Sequence, residues 1–231
     1  MIEITWLGHG TSKFRLPSGE VIVMDPWVDG NPAYPKDHQF DRVDFILVTH
    51  GHFDHIHDVI PLAKQFEPQI VAIFETTKWL ESKGVKNLIG MNKGGTVAIG
   101  PAKATMTHAI HSCGILDGDQ IIYGGEAAGY VLRMPDGRAP YYAGDTNVFS
   151  DMALIQELYS PELAFLPIGD HFTMSPHEAA LAARLLQARK IVPMHFGTFP
   201  VLTGRPDQLA EKLRGQPTEV WPLTAGHPVN W

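Results

Sequence analysis

The chain has almost no cysteine, no long apolar run and no surplus of basic residues. Its single cysteine, Cys113, cannot form an internal disulfide, so nothing in the sequence requires an oxidising compartment. No segment approaches the roughly 18 uninterrupted apolar residues of a membrane span. Residues 1–6 also lack the basic start and apolar stretch of a secretory leader. We therefore expect a soluble, cytoplasmic protein that does not bind membranes.

Basic residues are scarce relative to acidic ones. Eighteen lysines and arginines stand against 25 aspartates and glutamates, which gives a formal net charge of -7. No basic run is present that could follow a phosphate backbone. The composition therefore argues against a nucleic acid partner and against a nuclease.

The rest of the composition is that of a globular protein. The 231 residues are 44% hydrophobic and 19% charged, which is enough apolar surface for a substantial core. No linker, low-complexity tract or short repeat divides the chain, so we predict one domain over residues 1–231. A small molecule is the partner we expect, and a homo-oligomer is the protein assembly that we consider.

Short apolar runs bounded by Gly, Pro and Asp predict strands, and longer periodic runs predict helices. The helix after Ser175 is the best marked, because Ser175, Pro176 and Glu178 form a capping box with proline in the first turn. Each half of the chain passes from strands to alternating strands and helices. This order predicts an α/β protein with two sheets packed face to face and helices outside. The predicted strands are 2–7, 12–16, 21–24, 45–48, 70–74, 85–89, 96–99, 102–107, 129–134, 140–143, 163–166 and 191–193, and the predicted helices are 58–66, 76–82, 149–159 and 176–187.

A dense run of histidines directly follows the apolar strand 45–48. His50, His52, Asp54 and His55 fall within six positions. Residues two apart in extended chain point to the same side, so His50 and His52 can hold one ion while Asp54 and His55 are aimed at a second. Imidazole and carboxylate suit zinc, iron or manganese. The alternative is a solvated loop that caps the next helix, but such a loop has no need of so many imidazoles.

Four ligands are too few for two metals, so the hypothesis requires more His and Asp residues at other strand ends. His111, Asp145 and His195 each follow a predicted strand. Taken alone, a histidine is more often structural and an aspartate after glycine is usually a turn residue. The joint pattern is what predicts a site, and the two oxygens of Asp145 allow it to bridge both ions.

Other polar residues have simpler interpretations. His108 competes with His111 but lies inside the strand, and Cys113 is expected to be a buried core residue rather than a thiolate ligand. His57 and Asp58 are expected to begin a helix. The five tryptophans are interpreted as core or interface residues, and His38 and His227 as surface residues.

The ligand run and its flanking segments resemble the metallo-β-lactamase superfamily. The flanking segments are WLGHGT at 6–11, AGDT at 143–146, LPIGDHFTM at 166–174 and PMHFGT at 193–198. Together they are similar to a small single-domain branch of metal-dependent hydrolases related to L-ascorbate-6-phosphate lactonase. The resemblance spans nearly the whole chain. The branch often has Asn and Gly where this chain has His171 and Ser175, so no role is transferred to those two positions.

The resemblance implies a four-layer αββα sandwich and a set of metal ligands. His50, His52 and His111 would hold the first ion, Asp54, His55 and His195 the second, and Asp145 would bridge them. We expect two divalent ions, zinc first, with manganese, iron or nickel as alternatives.

Two ions about 3.5–4 Å apart can share a water, lower its pKa toward about 7 and present hydroxide to an ester, lactone or phosphodiester. Asp54 is placed to orient that water. His9, Asp170 and His171 are candidates for protonating the leaving group or binding an anionic substrate, and each can equally orient a metal ligand.

Two rival functions remain at this point. One is a mononuclear iron oxidoreductase on the same fold, with two histidines and one carboxylate as iron ligands. The other is a metal-stabilised binding protein without turnover, which needs a closed coordination shell. Fold-level resemblance does not select the substrate, because one site of this type serves many reactions.

Overall fold

The chain forms sixteen strands and six helices in the computed structural model, which describes residues 1–231. By their internal contacts they divide into unit 1, residues Met1–Asn92, Ser112–Ala127 and Thr224–Trp231, and unit 2, residues Lys93–His111 and Ala128–Leu223. Each unit contains one seven-stranded sheet with its own helices. Every helix is too short or too polar to span a bilayer.

Unit 1 contains strands β1–β6, β9, β10 and β16 with helices α1–α3. Its large sheet has the order β16-β1-β2-β3-β4-β5-β6. The pairs among β16, β1, β2 and β3 are antiparallel, and those from β3 to β6 are parallel. The bounds are β1 Glu3–Trp6, β2 Ser12–Arg15, β3 Val21–Met24, β4 Phe45–Leu47, α1 Phe53–Ile56, α2 Val59–Phe66, β5 Gln69–Ile73, α3 Phe74–Ser82, β6 Leu88–Met91, β9 Gly114–Asp117, β10 Gln120–Tyr123 and β16 Val229–Asn230.

Unit 2 contains strands β7, β8 and β11–β15 with helices α4–α6, and its sheet has the order β15-β14-β13-β12-β11-β8-β7. Pairs from β7 to β12 are antiparallel and pairs from β12 to β15 are parallel. Both sheets thus pass from antiparallel to parallel pairing, as the two similar halves of the sequence predict. The bounds are β7 Thr96–Ile99, β8 Ala102–His108, β11 Ala128–Arg133, β12 Tyr141–Tyr142, α4 Met152–Tyr159, β13 Leu163–Pro167, α5 Pro176–Leu186, β14 Lys190–Met194, α6 Pro206–Lys212 and β15 Glu219–Val220.

Each unit packs its helices on one face of its sheet through an apolar cluster. In unit 1, Val21, Ile46 and Ile70 of the sheet join Leu62 of α2 in one buried cluster. In unit 2, α5 contributes mostly alanines to the core, so its axis can lie close to the strands. The predicted capping box of α5 is present, with the Ser175 hydroxyl accepting from the Glu178 N–H and the Glu178 carboxylate accepting from the Ser175 N–H.

The predicted strand 85–89 begins later than expected. Gly84 has a left-handed backbone with a φ of 83°, and the Val85 N–H donates to the Leu80 carbonyl at 3.1 Å. These residues complete the end of α3, so β6 starts only at Leu88. The β9–β10 hairpin, α1, α6 and the short strands β15 and β16 were not predicted.

Strand direction decides where the polar loops lie. In unit 1, β1, β3 and β4 run in the same direction, because β1 and β3 are each antiparallel to β2 and β4 is parallel to β3. In unit 2, β8, β12, β13 and β14 also share one direction. The carboxyl ends of these strands therefore meet at one edge of each sheet, where α/β proteins place their sites.

Candidate metal centre

The predicted ligands of unit 1 come together in the loop that leaves β4. The side-chain nitrogens His50 Nε2 and His52 Nδ1 are 3.0 Å apart. Helix α1 begins at Phe53, and its first turn brings the Asp54 Oδ2 atom within 3.8 Å of His55 Nε2. The His50 and His55 rings lie 4.1 Å apart, centroid to centroid. The structure therefore brings all four predicted residues of this unit into one cluster, in which His50 and His55 are buried.

Asp25 belongs to the same cluster and was missed by the sequence analysis. It follows β3 and is fully buried, and its Oδ2 accepts from His55 Nδ1 at 2.8 Å. It also accepts from the Thr49 N–H at 2.7 Å and from the Thr49 hydroxyl at 2.6 Å. Burial raises the pKa of the Asp25 carboxyl, and the His55 and Thr49 hydrogen bonds act in the opposite direction. Asp25 thus orients the His55 ring through Nδ1, so that Nε2 is the nitrogen that could bind a metal ion.

The β9–β10 hairpin supports this loop from the other side. A side chain at Gly51 would place Cβ 2.4 Å from Ile115 Cγ1, so only glycine allows the hairpin to approach this closely. The Gly51 N–H donates to the sulfur of Cys113 at 3.2 Å, and Ser112 Oγ lies 3.1 Å from His52 Nε2. Cys113 is buried, as predicted, and holds the loop backbone through this contact.

The predicted ligands of unit 2 meet around one carboxylate oxygen. Asp145 Oδ2 lies 3.0 Å from His195 Nε2 and 3.6 Å from His111 Nε2. The three residues follow β12, β14 and β8, whose carboxyl ends share one edge of the sheet. One oxygen of Asp145 therefore lies near a ring nitrogen of both histidines.

His195 has a strained backbone in a tightly packed corner. Its φ of 56° is left-handed, which is unfavourable for a side chain with a Cβ. A Cβ on Gly169 would lie 2.1 Å from the His195 carbonyl oxygen, so the two backbones touch. Close packing of this kind is what maintains a strained residue, and such residues concentrate at functional sites.

The residues predicted to act on the substrate occupy different environments. His9 is fully buried in unit 1 and its Nε2 lies 2.8 Å from Asp54 Oδ2. Asp170 and His171 of unit 2 are exposed, and both have left-handed backbones, with φ of 65° and 54°. His9 is thus buried and contacts a predicted ligand, whereas Asp170 and His171 face solvent.

Four histidine and aspartate residues that were given no ligand role lie outside these clusters. His108 is exposed and its Nδ1 lies 3.1 Å from Lys93 Nζ, in agreement with its lower rank as a ligand. Asp58 stands at the N-cap position of α2, but its carboxylate accepts from the Val28 and Asp29 N–H groups instead of capping the helix. His227 is exposed as predicted, whereas His38 is half-buried and not a simple surface residue.

The donor chemistry fits a divalent transition metal. In unit 1, ligand atoms of Asp25, His50 and His55 lie within 4.8 Å of one another. In unit 2, two imidazoles surround one carboxylate oxygen. Nitrogen and oxygen donors in this mixture suit zinc, manganese, iron or nickel. Buried imidazole and carboxylate groups are costly in a core without such a partner, so the burial of these groups supports their assignment as metal ligands.

Comparison with known proteins identifies the family to which the chain belongs. Residues 20–196 match the model of the β-lactamase superfamily domain. A protein of Solibacter usitatus described as a UPF0173 metal-dependent hydrolase is 71% identical over 230 residues, which cover 100% of both chains. A protein of Koribacter versatilis with the same description is 57% identical over 90% of each chain.

A solved structure extends the likeness to the fold. The structure of Igni18, described as a novel metallo hydrolase from the archaeon Ignicoccus hospitalis, superposes with a TM-score of 0.86 at 31% identity. The match covers 99% of this chain and 97% of that one. The mixed α/β architecture with two large sheets is thus the metallo-β-lactamase fold, as predicted. The chain belongs to the β-lactamase superfamily and, within it, to the UPF0173 family of metal-dependent hydrolases.

Proposed function

We propose that the protein hydrolyses a small-molecule ester, lactone or phosphodiester with two divalent metal ions. The proposed ligands of the first ion are His50, His52 and His111, and those of the second are Asp54, His55 and His195. Asp145 is the proposed bridge. Zinc is the first choice because imidazole and carboxylate are its common ligands, with manganese, iron and nickel as alternatives.

The observation that carries this proposal is the position of Asp145 between two histidines. One of its oxygens is 3.0 Å from His195 and 3.6 Å from His111, and the proposal assigns these two histidines to different ions. The grouping in unit 1 supports the same division, because His50 contacts His52 while Asp54 lies near His55. Seven ligands of this kind are more than one ion requires.

When bound, the two ions would supply Lewis acidity and a water made nucleophilic at neutral pH. The protein's own side chains would orient the water, protonate the leaving group and bind the substrate. Asp54, which carries an acceptor oxygen beside His55, orients that water. Asp170 is exposed in a strained loop and protonates the leaving group. His171, its exposed neighbour, is placed to bind an anionic part of the substrate.

The test combines metal analysis with an activity panel. The protein is purified without added metal, its metal content is measured, and it is then assayed on lactones, phosphodiesters and esters with zinc or manganese. We expect two ions per chain and hydrolysis of one class in the panel. One iron per chain with oxygen uptake would overturn the hydrolase proposal in favour of the oxidoreductase alternative.

Two variants distinguish catalysis from simple stabilisation by metal. Asp54→Ala and His195→Ala each remove one proposed ligand of the second ion. We expect both to abolish hydrolysis of the substrate class that the wild type accepts. Lower thermal stability with unchanged hydrolysis would instead identify a protein in which the metals only support the fold.

A further inference from the structure

His9 lies in the turn that connects β1 and β2, at the same sheet edge as the histidine loop. The turn is closed by the Leu7 N–H, which donates to the Thr11 carbonyl at 2.9 Å. Within it His9 has a left-handed backbone, with a φ of 51°, although it carries a Cβ. An Asn or Gly would adopt this conformation at lower cost, so the imidazole itself is expected to have a use.

The His9 ring is fully buried. It makes a T-shaped contact with the Trp27 ring, with centroids 5.1 Å apart, and the His55 ring lies 5.8 Å away. The adjacent Gly10 makes this approach possible, because a Cβ there would lie 2.8 Å from His55 Cε1. The Trp6 indole donates to the His9 carbonyl at 2.9 Å and fixes the backbone. A ring with no exposed surface cannot touch a substrate.

The polar contact of His9 that bears on the site is with Asp54. His9 Nε2 and Asp54 Oδ2 are 2.8 Å apart. An ionised carboxylate only accepts hydrogen bonds, so Nε2 carries the proton and donates it. Asp54 is itself buried, and a donor to one of its oxygens limits the rotation of the carboxylate.

We infer that His9 is a positioning residue that holds the Asp54 carboxylate in the orientation needed to bind a metal ion. The inference rests on the proposed function, in which Asp54 is a ligand of the second ion. His9 therefore acts through Asp54 and does not protonate the leaving group. Residues that orient a ligand in this way are expected to change metal affinity by about 10–100-fold when they are replaced.

The experiment is a titration of the metal-free protein with zinc in competition with a chromophoric chelator. His9→Phe keeps a ring against Trp27 and removes the donor, whereas His9→Gln keeps an N–H at a similar reach. We expect His9→Phe to lower the affinity for the second zinc ion about 10–100-fold and to leave the affinity for the first ion unchanged. We expect His9→Gln to recover most of the lost affinity. His38→Phe is the matched control, since His38 makes T-shaped ring contacts with Tyr34 and Phe40, neither of which is a predicted ligand.

A double-mutant cycle shows whether the effect passes through Asp54. In an Asp54→Ala background, where we expect the second ion to be lost on dialysis but still to bind weakly in excess zinc, His9→Phe should cause no further loss of zinc affinity. Thermal unfolding of each metal-free variant separates this effect from a failure to fold. Equal affinity of His9→Phe and wild type, or the same loss in the Asp54→Ala background, would overturn the inference.

The titration also separates this inference from the proposed function. If the wild type binds a single zinc ion, the dinuclear proposal fails. The role of His9 is then decided by the affinity for that one ion in the wild type and in His9→Phe. Lower affinity for that ion in His9→Phe, with the affinity restored in His9→Gln, would support the inference even in that case.

Discussion

The two units of the molecule hold their predicted metal ligands in different ways. Unit 1 takes four predicted ligands from one short segment, residues 50–55, which comprises the loop after β4 and the first turn of α1. Unit 2 takes three from the ends of three strands that are far apart in sequence. The first arrangement depends on one local segment and the second on the register of a whole sheet. We therefore expect the two parts to respond differently to substitution.

The largest effect is expected at Asp145. Its Oδ2 faces both His111 and His195, so Asp145→Ala should remove both ions, whereas Asp54→Ala should remove only the second. Metal content measured after dialysis should fall from about two ions per chain to fewer than one for Asp145→Ala, and to about one for Asp54→Ala. Asp151→Ala, an exposed aspartate of unit 2, is the control and should keep both ions. Equal losses at Asp145 and Asp54 would contradict the bridging role.

The next largest effect is expected at Asp25, which accepts a hydrogen bond from the predicted ligand His55 in unit 1. Asp25→Asn removes the charged acceptor of His55 Nδ1 while it keeps the volume of the side chain. We expect zinc affinity to fall about 10–100-fold, because the ring loses its fixed orientation. Asp58→Asn changes another buried carboxylate of this unit, one that accepts backbone N–H groups and contacts no predicted ligand. If both variants lose the same affinity, the effect is general destabilisation and not ligand orientation.

A pair of glycines compares how tightly each part is packed. Gly169→Ala in unit 2 would press on the backbone carbonyl of His195, which cannot move without moving that predicted ligand. Gly51→Ala in unit 1 would press on the buried side chain of Ile115, which can yield more than a backbone carbonyl can. Overpacking costs about 1–3 kcal/mol, and we expect Gly169→Ala at the upper end and Gly51→Ala at the lower end of this range. Urea unfolding measures both, and the reverse order would show that unit 1 is the more rigid part.

The smallest effect concerns a helix end. Ser175→Ala removes the side-chain cap of α5 and should lower the free energy of unfolding by about 1 kcal/mol. Asp58→Ala at the N-cap position of α2 removes no cap bond, so its cost should come only from the Val28 and Asp29 N–H groups that it leaves unpaired. Zinc affinity of Ser175→Ala should equal that of the wild type. A loss of affinity there would show that α5 also positions the ligands.

The sequence argued most strongly for a site where the candidate residues are contiguous. Three imidazoles and a carboxylate within residues 50–55 rarely occur together for a purely structural reason, and the order of apolar runs was sufficient to predict two similar halves. His111, Asp145 and His195 were proposed as ligands because each follows an apolar strand and because the whole set resembles a known family. Each of these three residues alone carried too little information.

Asp25 and the β9–β10 hairpin show what the sequence could not reveal. Asp25 precedes a proline after a strand, which is also the pattern of an ordinary turn. The hairpin pairs only with itself, and its outer face carries Leu116, Ile121 and Tyr123, all largely exposed. Apolar residues that face solvent give no alternating pattern, so its two strands were not recognised. Contacts such as that of His9 with Asp54, 45 residues apart, depend on the sheet that brings them together.

The pairing of β1 with β16 has a consequence for how the chain folds. The two strands lie side by side, and the Ile2 and Trp231 backbones exchange two hydrogen bonds of 3.0 and 2.9 Å. During synthesis β1 is therefore made early, and the backbone groups along its outer edge stay unpaired until residues 229–231 have been made. Pairings between distant segments slow folding, and an open strand edge can pair with another chain in the interval. The step most exposed to misfolding is thus expected to be the closure of the unit 1 sheet.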